Sequence, residues 1–313
     1  MFDLGPVVAC HERLLTDDAG RQPRWLHFNI ANARARQWLQ SQEQIPEEAR
    51  ELLLGSDRRI RAGVVDDALM AVLGDVNHDF LENPDEGFDI MRVYLDANLL
   101  ITTRLRPLET ADRVRRDLRA GLVQPASTFA LFEHFLERLA ETHGALVSKL
   151  GDQVDDAEEE ILAGRIGAQG ERLGRVRRAL ARARRHLNAN RAALTPLPRR
   201  LPSAYDSEQR QNLRDAVDRL DAVAQDLELV QERARLVQEE IAGRLTEATS
   251  RNLFLLSIMT TTLLPITLIT GIFGMNVGGL PWLDNPGGFW WVILVMAAAV
   301  VVTLITLRRR QVL

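Results

Sequence analysis

The sequence predicts an α+β polar domain, a long helix leading out of it, and two C-terminal transmembrane helices. Three observations carry this. Residues 253–275 and 289–307 form two apolar stretches with no Asp, Glu, Lys or Arg. No proline falls between Pro202 and Pro265. The first hundred residues alternate short strand-like and helix-like segments.

Residues 1–107 read as an α/β subdomain. Val7–Ala9 and Trp25–Ile30 have the composition of short strands, and Asn32–Gln40 and Pro46–Leu54 that of short helices, with Pro46 near a helix start. Ala68–Leu73 predicts another strand. The clearest hairpin is Phe88–Leu95, a turn at Asp96-Ala97-Asn98, and Leu99–Arg104. The polar, proline-interrupted stretch 77–87 predicts the turn before it.

Residues 108–202 read as a helical hairpin region. Leu108–Gly121 and Ser127–Leu150 are helical, with Ser127 as a cap. The acidic run Asp152–Glu160 leads into the arginine-rich run Arg172–Arg185. Its alternating charge, with few apolar positions, predicts a solvated hairpin or stalk. The prolines within Thr195–Pro202 break the helix.

Residues 203–276 then predict one unbroken helix. Leu213, Val217, Leu220, Ala224 and Leu227, then Ala234, Val237, Ile241 and Leu245, form an apolar stripe. Such a helix has roughly 65 residues and a length on the order of 100 Å. It needs partners along its length, which parallel copies around an axis would provide.

Each apolar stretch is long enough to cross about 30 Å of hydrocarbon. The whole-chain averages, 26% charged residues and a mean hydropathy of −0.12, hide both. Arg308-Arg309-Arg310 follows the second span, and Arg244 and Arg251 precede the first. By the positive-inside rule the tail, 308–313, and the large N-terminal part are cytoplasmic. The loop 277–288 carries Asp284 and no Lys or Arg, as an external loop should. Near the start, Asp3 and the lack of a continuous apolar run predict no signal peptide. The single cysteine, Cys10, excludes an internal disulfide framework.

Two helices cannot enclose a water-filled path, so a chain like this moves a solute only as an oligomer. In the first span Leu253, Leu256, Thr260, Leu264, Thr267 and Gly271 recur every three or four residues and share a helix face. Lining an axis, they would make leucine rings that gate by dewetting and threonine rings that touch a hydrated ion. The alternative is that the threonines only satisfy hydrogen bonds within or between helices. Pro265 frees a carbonyl near Thr261 and marks a bend. Trp290 and Trp291 open the second span as an aromatic belt, and this span reads as a lipid-facing outer helix. With no carboxylate in either span, the path suits a largely hydrated cation, and Asn276 can ring the outer mouth with amide oxygens.

Two groups stand as cytoplasmic metal candidates: Asp66, Asp67, Asp75, His78 and Asp79, with Glu82 nearby, and Cys10, His11 and Glu12. The bland alternative for both is solvated turn residues, and neither has the ligand spacing to choose zinc over magnesium. His134 and His143 are nine residues apart on one helix, too far to pair alone. No phosphate loop, nucleophile elbow or metalloprotease motif points to an enzyme. The net charge of −4, with no basic domain, points away from nucleic acid. No covalent cofactor is expected.

Gly274-Met275-Asn276 ends a proline-containing first span and is followed by a short loop and one more span. With the wider LLPITLITGIFGMN, this resembles the CorA-type metal ion transporter superfamily. RWLHFNI, MRVYLDANLLITTRLRPL and NLFLLSIM resemble its bacterial zinc transporter ZntB branch. The resemblance covers nearly the whole chain in order.

It implies a multi-pass homopentamer of the bacterial inner membrane, with an α/β/α cytoplasmic funnel, a pore helix and an outer ring of second spans. Gly274, Met275 and Asn276 would form the entry and selectivity ring. Leu264 and Thr267 would line the pore, Leu253 and Leu256 its cytoplasmic constriction, and Gly271 would sit where backbone meets the ion path. Zinc is the implied cargo, with uptake proposed to be proton-coupled. The pore face has no titratable side chain to carry a proton. A magnesium or cobalt channel of the same architecture is the nearer alternative. A membrane-anchored scaffold or sensor is the more distant one.

Overall fold

The computed structural model describes residues 24–77, 80, 87–165, 169–275, 280–281 and 287–309. They fall into two compact units, Met1–Gln238 and Glu239–Leu313.

The first unit is built on a five-stranded sheet. Its strands are β1 (Arg24–Asn29), β2 (Arg61–Val65), β3 (Ala68–Val76), β4 (Phe88–Leu95) and β5 (Leu99–Arg104), in the order β1-β5-β4-β3-β2. Only the β1–β5 pair is parallel. The hairpin β4–β5 stands as its two segments and the Asp96-Ala97-Asn98 turn imply. Asp96 closes it: its carboxylate accepts the Asn98 and Leu99 amides, both at 2.8 Å. Strand β2 was not anticipated. It is a half-exposed edge strand without strict alternation, and its turn, Asp66-Asp67, has both residues in the left-handed region (φ 47° and 65°). That is the type I′ geometry of a two-residue hairpin, here without the usual Asn-Gly.

Helices cover both faces. On one lie α1 (Ala33–Ser41) and α2 (Glu47–Leu54), burying Leu39, Ala49 and Leu53 against Phe28, Tyr94 and Ile101. Asn32 caps α1 by accepting the Arg34 amide at 2.9 Å. The other face carries α3 (Glu109–Arg119) and α4 (Thr128–Leu162). There Trp25 meets Phe135 edge-on, ring centroids 5.2 Å apart, and donates to the Thr102 hydroxyl at 2.9 Å. The layers are α/β/α. Ser127 caps α4 as its sequence implies, and the helix runs twelve residues past Leu150.

The arginine-rich stretch is a correction. Helix α5 (Gln169–Leu194) is not a solvated stalk. Leu173, Val176, Leu180, Ala183 and Leu187 are all buried, at three- and four-residue spacing. These few apolar residues sit on one face, so the average composition understates the core they make. They pack with Leu146, Leu150, Val154, Ala157 and Ile161 of α4. Arg172 pairs across to Asp156 of α4 at 2.8 Å, while Arg175, Arg177, Arg178, Arg184 and Arg185 stay on the exposed face.

After α6 (Leu197–Arg200) begins α7 (Ser207–Phe273), 67 residues long. Its start is set by reciprocal bonds: the Asp206 carboxylate accepts the Gln209 amide at 2.8 Å, and the Gln209 side chain accepts the Asp206 amide at 3.0 Å. This is a capping box with Asp and Gln. The first part of α7 buries Leu213, Val217, Leu220, Ala224, Leu227, Ala234 and Val237. Arg219–Glu137 (2.8 Å), Arg233–Asp155 (2.6 Å) and an Arg191–Asp221 pair tie it to α4 and α5.

The second unit holds the rest of α7 and α8 (Gly288–Arg309). Both helices are long and apolar enough to cross a membrane.

Candidate ion path and entry segment

In the second unit, the exposure of α7 is uneven around its circumference. Ile258, Thr262, Pro265, Ile266, Ile269 and Phe273 are partly covered, and they share one side of the helix. On α8 a matching stripe of Val292, Ile293, Met296, Ala299, Val300 and Thr303 is partly covered. At about 100° per residue, the covered side of α7 is opposite Leu253, Leu256, Thr260, Leu264, Thr267 and Gly271. All six of those are exposed, Leu264 at 66%. Met259, Leu263 and Leu268, which flank that face, are equally bare, and the sequence reading passed over them. Their signal was available: leucine and methionine on the shoulders of a polar-apolar stripe mark a surface wanting protein or lipid.

The threonines on this face are bonded within the helix. Thr260 donates its hydroxyl to the Leu256 carbonyl at 2.8 Å, and Thr267 to the Leu263 carbonyl at 3.0 Å. Those bonds use the hydroxyl proton and leave the oxygen lone pairs outward, so each oxygen still accepts from water or faces a cation. The intrahelical bonds expected of membrane threonines are thus present, and they do not use up the oxygens. Pro265 lies inside α7 and removes the donor that would reach the Thr261 carbonyl.

Helix α7 stops at Phe273. The Gly274 amide still donates to the Thr270 carbonyl at 2.8 Å, and Met275 to Ile272 at 3.3 Å. A Cβ on Gly274 would stand 3.0 Å from the Thr270 oxygen, closer than side chains normally sit. A side chain at this position would require the Thr270 carbonyl to give by a few tenths of an ångström. Asn276 lies outside the described residues. Trp290 and Trp291 are exposed at the start of α8, and Arg308 and Arg309 close it.

The proposed cytoplasmic metal group does not assemble among the described residues. Asp66 and Asp67 occupy the exposed β2–β3 turn, while Asp75 is near the far end of β3, about 26 Å away by strand rise. Asp75 is fully buried and accepts from the Thr110 hydroxyl at 2.7 Å, the Val76 amide at 2.8 Å and the Thr110 amide at 3.2 Å. Burial pushes its carboxyl up to about 7, against those donors. Its role is to anchor α3 on β3. His78, Asp79, Glu82, Cys10, His11 and Glu12 lie outside the described residues. No group of three or more metal-ligating side chains occurs among the described residues. His134 pairs with Asp117 at 3.0 Å, and His143 donates Nδ1–H to the Leu139 carbonyl at 2.8 Å, so the two are engaged separately.

His27 is buried between Thr102 and Arg104. Arg104 donates to its Nε2 at 2.8 Å, so Nδ1 carries the proton and faces the Thr102 hydroxyl at 2.8 Å. Burial first, then Arg104, pushes its pKa down to about 3.

A large α/β/α portion joined through one continuous helix to two uncharged spans defines a multi-pass membrane protein. The arginines flanking the spans put its polar portion and tail in the cytoplasm, as in an inner-membrane protein. The sequence model of the CorA-like Mg2+ transporter protein family matches residues 20–309, and the chain belongs to that family. Divalent-cation transport is the activity of the family at large. Among curated relatives, the zinc transport protein ZntB of an Enterobacter species is 30% identical over 83% of this chain and 78% of its own length. The divalent cation transporter CmaX of Pseudomonas aeruginosa is 31% identical over 91% of this chain and 86% of its own. A solved full-length CmaX structure superposes with a TM-score of 0.77 at 30% identity, covering 94% of this chain and 90% of that one.

Proposed function

We propose that this chain is a homopentameric transporter that takes up zinc through a pore lined by the bare face of α7. The observation that carries the reading is the placement of exposure: the face holding Leu253, Leu256, Thr260, Leu264, Thr267 and Gly271 is uncovered, opposite the partly covered side. Copies arranged around an axis would bury that face and turn its hydroxyls inward. Asn276, two residues beyond Gly274 in the sequence, would ring the outer mouth with amide oxygens. The ZntB names of several relatives favour zinc.

The path offers neutral oxygens only, which suits an ion that keeps most of its water. The driving force needs no proton. Membrane potential supplies about 2.3 kcal/mol per charge per 100 mV, twice that for a divalent cation. Magnesium is the rival cargo, since the family carries it in its name.

Replacing Asn276 with Ala tests the entry ring. Zinc uptake by cells expressing the variant should fall to background while the size of the purified oligomer stays the same. Normal uptake by that variant removes Asn276 from the path.

A further inference from the structure

The break between α5 and α7 leaves a cleft that the proposed ion path does not use. It has a volume of about 490 Å³, within the range of small-molecule sites. Arg199 and Arg200 approach from α6, and Arg214 from the second turn of α7. None of these guanidiniums has a carboxylate or carbonyl partner among the described residues. Of the two acids at the cleft, Asp221 is already paired with Arg191. Asp218 remains, so about two positive charges go unanswered.

The frame is fixed while the charges are not. Arg210, beside the cleft, spends its guanidinium on the carbonyls of Pro198 (3.0 Å), Leu201 (2.9 Å) and Pro202 (2.6 Å), stapling the bend that carries Arg199 and Arg200. Pro198 and Val217 are buried and give the cleft an apolar wall. Like charges held together on a braced backbone, next to an apolar wall, suit an anion with two charges and an organic body. Guanidinium forks match phosphate oxygens in geometry as well as charge.

We infer that the Arg199–Arg200–Arg214 cleft binds a soluble, phosphate-bearing small molecule. The test uses the full-length protein in phosphatidylcholine nanodiscs, in metal-free, low-salt buffer. Calorimetric titrations with inorganic pyrophosphate and with ADP probe the anion alone and the anion with a ring system. Both should bind at one site per chain, ADP more tightly. Arg214→Gln and the double variant Arg199→Gln/Arg200→Gln should each weaken binding at least tenfold. Arg214→Lys, which keeps the charge, should retain most of it. Arg177→Gln/Arg178→Gln, on α5 outside the cleft, should bind as the wild type does. No binding to the wild type, or equal loss in the α5 control, overturns the site. Displacement of pyrophosphate by phosphatidylglycerol added to the discs overturns the soluble form of the ligand in favour of a lipid headgroup.

Discussion

His143 offers a quantitative test of the packing in the first unit. It is 1% exposed on α4, and its Nδ1–H is spent on the Leu139 carbonyl. Its Nε2 is buried with no partner among the described residues. A proton added at Nε2 would be a buried charge without a counter-ion. Burial accordingly pushes its pKa down from 6.5 to about 4, against the smaller opposite effect of the Leu139 bond.

The sign follows from which state holds the proton. Between pH 6.5 and 4 the unfolded chain protonates this imidazole and the native one does not, so stability falls as pH falls through that window. From pH 7 to pH 5 the loss from this one group is about 2 kcal/mol. His27, pushed down to about 3, and His186, pushed down to about 4 chiefly by burial, act in the same direction. Asp75 and Glu133, each pushed up to about 7 chiefly by burial, act in the opposite direction. The wild-type profile is therefore a partial cancellation, and the informative quantity is a difference. His143→Leu removes the titration and leaves the Leu139 carbonyl to its helical amide. Urea unfolding of the full-length protein in detergent, at pH 7 and at pH 5, should show the variant losing about 2 kcal/mol less than the wild type. Parallel losses would refute the burial argument. The same variant separates an acid effect on the cytoplasmic portion from proton coupling along the proposed path, whose face carries no titratable side chain.

Other expectations are simpler to check. Leu264→Ser removes an apolar side chain from the bare face of α7 and should raise ion leak several-fold in planar bilayers; unchanged leak argues against a leucine gate. Gly274→Ala presses a methyl against the Thr270 carbonyl, at a cost of about 1 kcal/mol, and should reduce uptake with the oligomer intact; wild-type uptake would show that the turn tolerates a side chain. Asp67→Gly relieves a left-handed residue in the β2–β3 turn and should stabilise the protein by about 1 kcal/mol in urea unfolding; destabilisation would mean that the Asp67 side chain contributes more than its backbone costs.

Most of the architecture was legible because its signals are strong and local. Apolar runs on either side of the Asp96-Ala97-Asn98 turn mark β4 and β5, Asn32 and Ser127 cap their helices, and the lack of proline after Pro202 lets α7 run on. The misses have physical causes. Strand β2 lies at a sheet edge with neither face fully covered, so nothing imposes alternation on it, and its Asp66-Asp67 turn lacks the glycine that usually advertises a hairpin. The core of α5 was hidden by the arginines around it, because a single stripe of buried apolar residues from Leu173 to Leu194 is enough to dock a helix whatever covers its other faces. Asp75 looked like a ligand beside Asp66 and Asp67, yet the length of β3 separates them and Thr110 claims it. The stripe on α7 was readable from spacing alone. That the stripe is bare was not, since exposure depends on which side α7 turns toward its neighbours.

Flux into liposomes holding the purified protein addresses the central claim most directly. Zinc and magnesium are offered separately at a fixed membrane potential, with and without a pH gradient, beside the Asn276→Ala variant. The account predicts zinc entry driven by potential, present without the gradient and absent in the variant. Magnesium entry with zinc excluded would make the chain a magnesium channel of the same architecture, and no protein-dependent flux of either ion would contradict transport itself.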